Sequence, residues 1–357
     1  MSIDAANDRL DGARLATPTD PPSVSRARVL LRTLSFRNIS AIYILIALVA
    51  IYSLWVPDTF LTASVWRSML DNSALVAIVA VGLVLPLAAG AFDLAVGAEV
   101  GLGAIVVAWL LTEQGLGPAQ AVVLTLVAGA AVGAFTGILI TVANIDSFIA
   151  SLGMSSVVLA AIAWLSDSQQ ILNLGEGFQD FATGQLFGFT HPVWLALVVG
   201  LIVWYVLERT PVGRRIYATG GNLNAARLAG VRTSLILVGA LAACGAIAGF
   251  AGALASSRLA TGDPTIGPAY LLPAYAAAFL GSTQFRSGRY NVAGTLVAVF
   301  VLAVGVKGLQ LGGAPVWIPD LFNGMALLLA VGMARTQRRA RQARAARGVR
   351  RHEVKDE

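Results

Sequence analysis

Long apolar runs separated by short polar connections make up most of the chain. A helix needs about 20 apolar residues to cross the hydrocarbon layer of a bilayer, and shorter runs can form half-helices or re-entrant segments inside a protein. The pattern therefore predicts an all-α polytopic membrane protein with about ten transmembrane helices, including broken or re-entrant segments. The predicted spans lie near 39–56, 73–91, 96–113, 118–142, 150–165, 193–208, 234–255, 270–282, 291–311 and 317–334.

The composition supports a membrane protein. Hydrophobic residues make up 57% of the sequence and charged residues 12%, whereas a soluble domain carries about 25% charged residues. An outer-membrane barrel would alternate polar and apolar positions along each strand, but the apolar runs here are unbroken. The single cysteine, Cys244, excludes a disulfide framework.

The basic residues indicate which side each loop faces, because Lys and Arg close to membrane spans tend to stay in the cytoplasm. Of the 25 basic residues, 22 lie on one predicted side, and the exceptions are Arg67, Arg258 and Lys307. This distribution requires an even number of spans with both termini cytoplasmic. The predicted domains are a cytoplasmic N-terminal tail at 1–38, a transmembrane domain at 39–334 with a cytoplasmic loop at 209–233, and a basic cytoplasmic C-terminal tail at 335–357.

The loop between the sixth and seventh predicted spans reads TPVGRRIYATGGNLNAARLAGVRT. Its second half predicts a short surface helix, since Asn222 or Asn224 can cap the first free N–H groups and Gly230 can end the helix. Gly220 and Gly221 predict a sharp turn before that helix. A small helix held outside the bilayer suits docking into a groove of another protein. The alternative is a basic loop that only fixes the topology.

Two acidic residues occur in this part of the chain: Asp93 lies between the second and third predicted spans, and Glu99 lies within the third. Carboxylates at membrane depth are costly and usually face a bundle interior or a cavity. Pro86, Gly90 and Gly97 predict breaks in the adjacent helices. Asp93 can brace the broken segment along a pathway, contact a substrate, or simply cap the next helix. The sequence leaves these alternatives open.

Small and basic residues inside the spans carry a weaker signal. Lys307 can snorkel to the interface, pair with an acidic neighbour or lie beside a pathway, and the apolar residues on both sides of it disfavour snorkelling. Glycines four residues apart predict close packing between helix backbones. These glycines are Gly97 and Gly101; Gly129, Gly133 and Gly137; and Gly245 and Gly249.

Three motifs resemble those of sugar-type ABC importer permeases, the ribose/xylose/galactose class that is related to the branched-chain amino acid permeases. The pattern Thr-Pro-x-Gly-Arg-x-x-Tyr-Ala-x-Gly-Gly-Asn-x-x-Ala-Ala-Arg-Leu-x-Gly, which begins at Thr210, is similar to their cytoplasmic coupling loop. The segment 90–97 resembles their Gly-(Gly)-Ile-Asp-Leu-Ser-Val-Gly motif, in which Phe92 replaces the usual Ile and Ala95 the usual Ser. The pattern Phe-Ile-Ala-x-Leu-Gly, which begins at Phe148, matches the third motif.

The resemblance, which covers residues 40–332, implies the permease subunit of an ATP-driven importer for a monosaccharide or related polyol in the bacterial cytoplasmic (inner) membrane. The implied partners are ABC ATPase subunits, an external solute-binding protein and a second permease subunit, identical or paralogous, within the lipid bilayer. Neither a cofactor nor a nucleic acid is implied. The residues implied in ATPase coupling are Gly213, Arg214, Gly220, Gly221, Asn222, Ala225, Ala226, Arg227, Leu228 and Gly230. The pathway or structural candidates are Phe92, Asp93, Gly97, Glu99, Phe148 and Lys307.

No Gly-x-x-x-x-Gly-Lys-Ser/Thr motif occurs in the sequence, so we expect ATP hydrolysis on a separate subunit. The only histidines are His191 and His352, and neither a metal-binding set nor a catalytic constellation is evident. The chain is therefore expected to be a transport subunit and not an enzyme. Two alternatives remain: a branched-chain amino acid permease of the same superfamily, or an ion-coupled secondary transporter that uses Asp93, Glu99 and Lys307. A secondary transporter would have no use for an ATPase-docking helix.

Overall fold

The computed structural model of the chain describes residues 40–285 and 288–332, which form fourteen helices and one short β-hairpin. The helices are α1 (Ser40–Trp55), α2 (Pro57–Phe60), α3 (Ala63–Ala89), α4 (Val96–Thr112), α5 (Pro118–Thr141), α6 (Ser147–Ser166), α7 (Glu176–Thr183), α8 (His191–Arg209), α9 (Pro211–Gly221), α10 (Leu223–Leu228), α11 (Thr233–Leu259), α12 (Pro268–Ser282), α13 (Val292–Leu311) and α14 (Ile318–Gly332). The hairpin pairs β1 (Gln185–Leu186) antiparallel with β2 (Phe189–Thr190). The predicted tails at 1–38 and 335–357 lie outside the described residues.

Each of the ten predicted apolar runs contains a helix. Six of these helices, α3, α5, α6, α8, α11 and α13, are long and apolar enough to cross a membrane. Helices α1, α4 and α14 are apolar but shorter, and α12 has 15 residues. The predicted all-α polytopic membrane fold is confirmed.

Helices α3 and α13, together with α11, lie at the centre of the described structure. In α3, 83% of the most apolar 18-residue window is buried, whereas the same fraction is 28% in each of α5, α6 and α8. Helix α11 packs on α3, α4 and α5, and α3 also contacts α8, α12 and α13. A helix that is apolar all round is buried in protein or faces lipid. The outer sides of α5, α6 and α8 therefore provide the lipid-facing surface.

Glycines allow α11 to contact α5 and α4 backbone to backbone. A Cβ atom at Gly129 of α5 would overlap the carbonyl oxygen of Gly245 on α11, and a Cβ atom at Gly245 would overlap the carbonyl oxygen of Gly129. A Cβ atom at Gly103 of α4 would overlap the carbonyl oxygen of Gly249 on α11. Small residues permit such close approach between membrane helices. The predicted packing role of the α5 and α11 glycines is confirmed at this crossing.

The segment between α11 and α12 enters the bundle without helical structure. Its Gly262 lies against Ala108 of α4, and its Gly267 lies against Gly101 of the same helix. At 1.5 Å per residue the segment therefore descends about 10 Å along α4. Gly262 exchanges two backbone hydrogen bonds with Ile171, of 2.8 and 2.9 Å. Non-helical backbone is tolerated at membrane depth where protein surrounds it, so α12 is a short helix that begins inside the bundle, as the predicted broken segments require.

The predicted helix breaks at Pro86 and Gly97 are wrong. Helix α3 continues through Pro86 and ends at Gly90, whose φ of 90° provides a left-handed C-cap. Proline removes one backbone donor and crowds the carbonyl four residues earlier, but Pro86 is buried among other helices, and this packing keeps α3 helical to Ala89. Gly97 lies inside α4, where it packs against Gly267. The link between α3 and α4 is therefore only six residues long, from Gly90 to Ala95.

Helix α8 connects two opposite faces of the bundle. We call the face that carries residues 210–232 the coupling face, and the face that carries residues 176–190, with α7 and the β-hairpin, the hairpin face. On the hairpin face Arg258 of α11 forms a salt bridge of 3.2 Å with Asp71 of α3. The Thr190 hydroxyl donates a hydrogen bond to the same carboxylate. These contacts hold the hairpin-face ends of α3, α8 and α11 next to one another.

Candidate functional site: the coupling face and the α3–α4 link

Helix α9 packs on the coupling-face end of α3. Its Ile216 is buried in a cluster with Ala88 and Ala89 of α3. A Cβ atom at Gly220 would overlap the carbonyl oxygen of Ala88, so only glycine fits this contact without a shift. The predicted turn at Gly220 and Gly221 is wrong, because both residues belong to α9. Their small size serves the contact with α3 instead.

A second contact anchors α9 to the segment that precedes α13. The hydroxyl of Tyr217 donates a hydrogen bond of 2.8 Å to the carbonyl oxygen of Tyr290. The guanidinium of Arg289 lies 3.9 Å from the centroid of the Tyr217 ring, which is a cation–π distance. Helix α9 is thus attached to α3 on one side and to the start of α13 on the other.

Helix α10 follows directly and is a short surface helix, as predicted. The chain turns at Asn222, whose side-chain oxygen accepts a hydrogen bond of 3.0 Å from the backbone N–H of Ala225. Gly230, with φ of 81°, follows the helix in the left-handed region, which favours glycine. Leu228 is 91% exposed at the end of α10. A leucine so exposed on a capped surface helix is available to a partner.

The other predicted coupling residues divide between anchored and exposed positions. Gly213 is buried against the backbone of Leu207, and Ala226 is the buried residue of α10. Arg227 donates a hydrogen bond of 3.0 Å from Nε to the hydroxyl of Thr233, at the start of α11. The exposed members are Arg214, Gly220, Gly221, Asn222, Ala225, Arg227, Leu228 and Gly230, although Gly220 and Arg227 also make the contacts described above.

Asp93 holds the link between α3 and α4. Its side chain is fully buried, and its Oδ1 atom accepts a hydrogen bond of 3.2 Å from the backbone N–H of Ala95. Its own backbone N–H donates a hydrogen bond of 3.0 Å to the hydroxyl of Tyr275 on α12. Asp93 therefore lies away from solvent, at the junction of α3, α4 and α12.

Glu99 is also fully buried, on the side of α4 that faces α11. A Cβ atom at Gly245 would lie 3.3 Å from its Oε1 atom. Within residues 40–285 and 288–332, Asp93 Oδ2 and both carboxyl oxygens of Glu99 have no hydrogen-bond partner. The same residues contain no group of three or more His, Cys, Asp or Glu side chains that could hold a metal ion. Buried carboxylates without partners are costly, so Asp93 and Glu99 lower the stability of the fold at this junction.

The aromatic candidates lie beside the link, and Lys307 does not. Phe92 is 39% exposed, stacks on Phe279 of α12 with centroids 6.4 Å apart, and donates its backbone N–H to the Ser147 hydroxyl. Phe148 follows Ser147 in the sequence, and it is 52% exposed. Lys307 lies four residues before the hairpin-face end of α13. The structure thus gathers five of the six candidates near the α3–α4 link and separates the lysine.

Sequence reasoning missed the partners of these residues. Tyr275 and Asp93 are 182 positions apart, and Tyr217 and Tyr290 are 73 apart. Tyrosines in apolar runs have many uses, so neither pair carries a signal that a single sequence shows. The one available signal was the presence of a tyrosine hydroxyl at an otherwise apolar position of a helix.

Comparison with known proteins places this architecture in a family. Residues 67–331 match the model of the family described as branched-chain amino acid transport system / permease component. The chain is 32% identical to the ribose import permease protein of Escherichia coli (strain K12) over 300 residues, which cover 83% of this chain and 92% of that protein. No solved protein structure shows a significant match.

Two further relatives are also sugar permeases. The chain is 32% identical to the L-arabinose ABC transporter permease protein of Azospirillum brasilense, over 85% of this chain and 88% of that protein. It is 28% identical to the galactose/methyl galactoside import permease protein of Escherichia coli (strain K12), over 84% and 95%. With its six apolar spans, the chain is a multi-pass membrane protein, and it belongs to the family of permease components of ABC transporters that import sugars.

Proposed function

We propose that this chain is the transmembrane subunit of an ATP-driven importer that carries a monosaccharide or related polyol delivered by an external binding protein. The observation that carries the proposal is the similarity to ribose, arabinose and galactose permeases over most of both chains. The exposed helix α10, mounted on the anchored helix α9, provides the surface that such a permease needs for an ATPase subunit.

In this proposal the coupling face lies in the cytoplasm, and so do both termini, while the hairpin face lies outside. Five arginines lie in or beside the coupling segment: Arg209, Arg214, Arg215, Arg227 and Arg232. This concentration supports the assignment, because Lys and Arg in short loops favour the cytoplasmic side. Helix α7 and the β-hairpin then form part of the surface that receives the binding protein.

The proposed coupling runs from α10 through α9 into α3. An ATPase subunit holds the exposed face of α10, including Leu228, and displaces α10 when ATP binding closes the ATPase pair. Helix α9 moves with it, since Asn222 connects the two helices directly. The contact of Gly220 with Ala88 passes the movement to α3, the most buried span. Asp93 and Tyr275 then brace α4 and α12 against that displacement.

The bundle shifts between inward-open and outward-open states by differential binding of ATP and substrate. A second permease subunit, identical or paralogous, completes the pathway in this proposal. The candidates beside the α3–α4 link, Phe92 and Phe148, have exposed rings available to such a partner or to the pathway.

The test is uptake in cells that lack the chain, with and without its restoration. Labelled ribose, arabinose, allose and galactose are measured beside leucine, with cellular ATP present or depleted. We expect one sugar to accumulate only when both the chain and ATP are present. Accumulation of leucine alone would assign the amino acid branch of the superfamily. Sugar uptake that persists without ATP and follows a proton gradient would contradict the ABC mechanism.

A further inference from the structure

A cavity whose lining is mainly apolar but includes five polar residues lies between α3, α12, α13 and α14, toward the hairpin face. Its volume is about 260 Å³, and its polar lining consists of Asn72, Ser73, Lys307, Gln310 and Asn323. Asn72 is next to Asp71, whose salt bridge with Arg258 marks the hairpin-face level. The cavity is therefore remote from the α3–α4 link and from the coupling face.

The polar side chains of the lining differ in whether another protein group satisfies them. Asn72 is satisfied, because its Oδ1 accepts a hydrogen bond of 2.6 Å from Arg258 and its Nδ2 donates one of 3.3 Å to Ser68. Across residues 40–285 and 288–332, by contrast, the side chains of Lys307, Gln310 and Asn323 have no protein hydrogen-bond or ion-pair partner, and they come from α13 and α14. Lys307 and Asn323 are half-buried, and polar side chains without partners are costly among apolar helices, whereas Gln310 is exposed.

The lining selects a chemical class. Primary amides both donate and accept hydrogen bonds, and an ammonium donates three, which together match hydroxyl groups. The lining contains no Asp or Glu that could hold a cationic group. Val76, Val299 and Leu302 provide apolar walls for the C–H face of a ring. Drug-sized ligands fill about 300–1,000 Å³, so this smaller cavity suits one small ligand.

We infer that this cavity is a subsite for a neutral polyhydroxylated ligand, a monosaccharide, that enters from the hairpin face. The inference rests on the proposed function, because it assigns the substrate of that function to a place within one permease chain. In this account Asn323 and Gln310 bind hydroxyl groups, and Lys307 donates to a further hydroxyl or to a ring oxygen. Lys307 thereby gains the partner that the described protein does not provide.

The experiment uses the assembled transporter in proteoliposomes and the variant Asn323→Cys. The native Cys244 is fully buried, so a membrane-impermeant maleimide can report on the new cysteine. Labelling is timed with ribose, arabinose, allose or galactose present, whether or not uptake of that sugar has been observed. One sugar at ten times its Kd should slow labelling about tenfold by simple occupancy. Gln120→Cys, which is exposed on α5 away from the cavity, should label at one rate throughout.

A second cysteine variant and a transport assay complete the test. Gln310→Cys lines the same cavity from an exposed position, so it replaces Asn323→Cys if that variant does not fold, and the same protection is expected. Lys307→Met should lower ATP-driven sugar uptake severalfold, while Gln120→Leu, which lies outside the cavity, should leave both sugar uptake and basal ATP hydrolysis unchanged.

The inference is overturned if no sugar of the panel protects either cysteine. It is also overturned if anionic lipid protects them while the sugars do not, since the cavity would then hold a lipid headgroup at Lys307. If wild-type vesicles import sugar but no protection occurs, only the subsite fails. If wild-type vesicles import no sugar under ATP, the proposed function fails independently of the labelling result.

Discussion

Helices α9 and α10 are neighbours in sequence, yet they are built in opposite ways. Three residues of α9 are buried, Gly213, Ile216 and Thr219, and it contacts both α3 and the segment before α13. Helix α10 buries Ala226 and exposes Leu228 almost completely. Helix α9 packs on the transmembrane helices, and α10 is exposed to solvent.

The difference separates two tasks within one loop. A surface that grips a partner needs exposed apolar side chains, since buried anchors at the centre of an interface carry most of the binding energy. A part that transmits displacement needs rigid contacts with the spans that move. Two adjacent glycines at the end of α9 show where its contact with α3 stops: a Cβ atom at Gly220 would overlap Ala88, whereas a Cβ atom at Gly221 would meet nothing within 4 Å.

The largest expected effect is on the affinity of the ATPase subunit for α10. Leu228→Asp places a charge at the proposed centre of the ATPase interface and should weaken ATPase binding by about 2 kcal/mol or more, roughly 30-fold. The thermal midpoint of the purified permease should not change, because Leu228 is 91% exposed. Co-purification of the ATPase subunit measures the first quantity. Ala218→Asp on the exposed side of α9 is the matched control, and an equal loss there would contradict the division.

A smaller effect is expected where α9 meets α3. Gly220→Val forces the helices apart and should lower stability by about 1–3 kcal/mol, as overpacking does in other cores. Gly221→Val should change stability by no more than about 0.5 kcal/mol. Both substitutions put the same β-branched residue in α9, so helix propensity cancels between them. Thermal midpoints in detergent and ATP-driven uptake provide the comparison, and equal behaviour of the two variants would show that the α9–α3 contact is unimportant.

The cap of α10 gives the next effect. Asn222→Ala removes the side-chain acceptor for the Ala225 N–H and should cost about 1 kcal/mol of helix stability. Since α10 must be ordered to bind, ATPase affinity should fall about fivefold. Asn222→Ser retains an acceptor and should restore most of the affinity. A loss in Asn222→Ser as large as in Asn222→Ala would exclude capping as the cause.

The smallest effect concerns the second anchor of α9. Tyr217→Phe removes the hydrogen bond to the Tyr290 carbonyl but keeps the ring beneath Arg289. A hydrogen bond contributes about 0.5–1.5 kcal/mol net, so a small decrease in thermal midpoint is expected. Coupling, measured as sugar imported per ATP hydrolysed, should be nearly unchanged. A complete loss of coupling would place the main transmission route at Tyr290 and not at Ala88.

Local signals explain which parts of this segment the sequence could predict. Helix α10 follows from its cap at Asn222 and its glycine stop at Gly230, which act through nearby backbone. The apolar runs are long enough to predict each span without knowledge of its neighbours. The small residues at Gly129 and Gly245 likewise indicate close packing before the partner helix is known.

The errors occur where distant contacts decide the local structure. Gly220 and Gly221 normally favour a turn, but contact of α9 with α3 keeps them helical, and α3 precedes them by more than a hundred residues. Pro86 normally kinks or ends a helix, but it is buried among other helices, and this packing keeps α3 helical to Ala89. The cavity beside Lys307 depends on Asn323 of another helix, and a single sequence cannot pair them.

The most direct test of the central claim is proximity crosslinking from α10 in the assembled transporter. The native Cys244 is buried, so a photoactivatable thiol reagent can be attached selectively at Leu228→Cys. This reagent should crosslink to the ATPase subunit, and the same reagent at Gln120→Cys should not. Crosslinking from Leu228→Cys would establish α10 as the ATPase contact. An assembled complex that hydrolyses ATP but shows no crosslink from Leu228→Cys would contradict the account, because the exposed helix would then not face the ATPase.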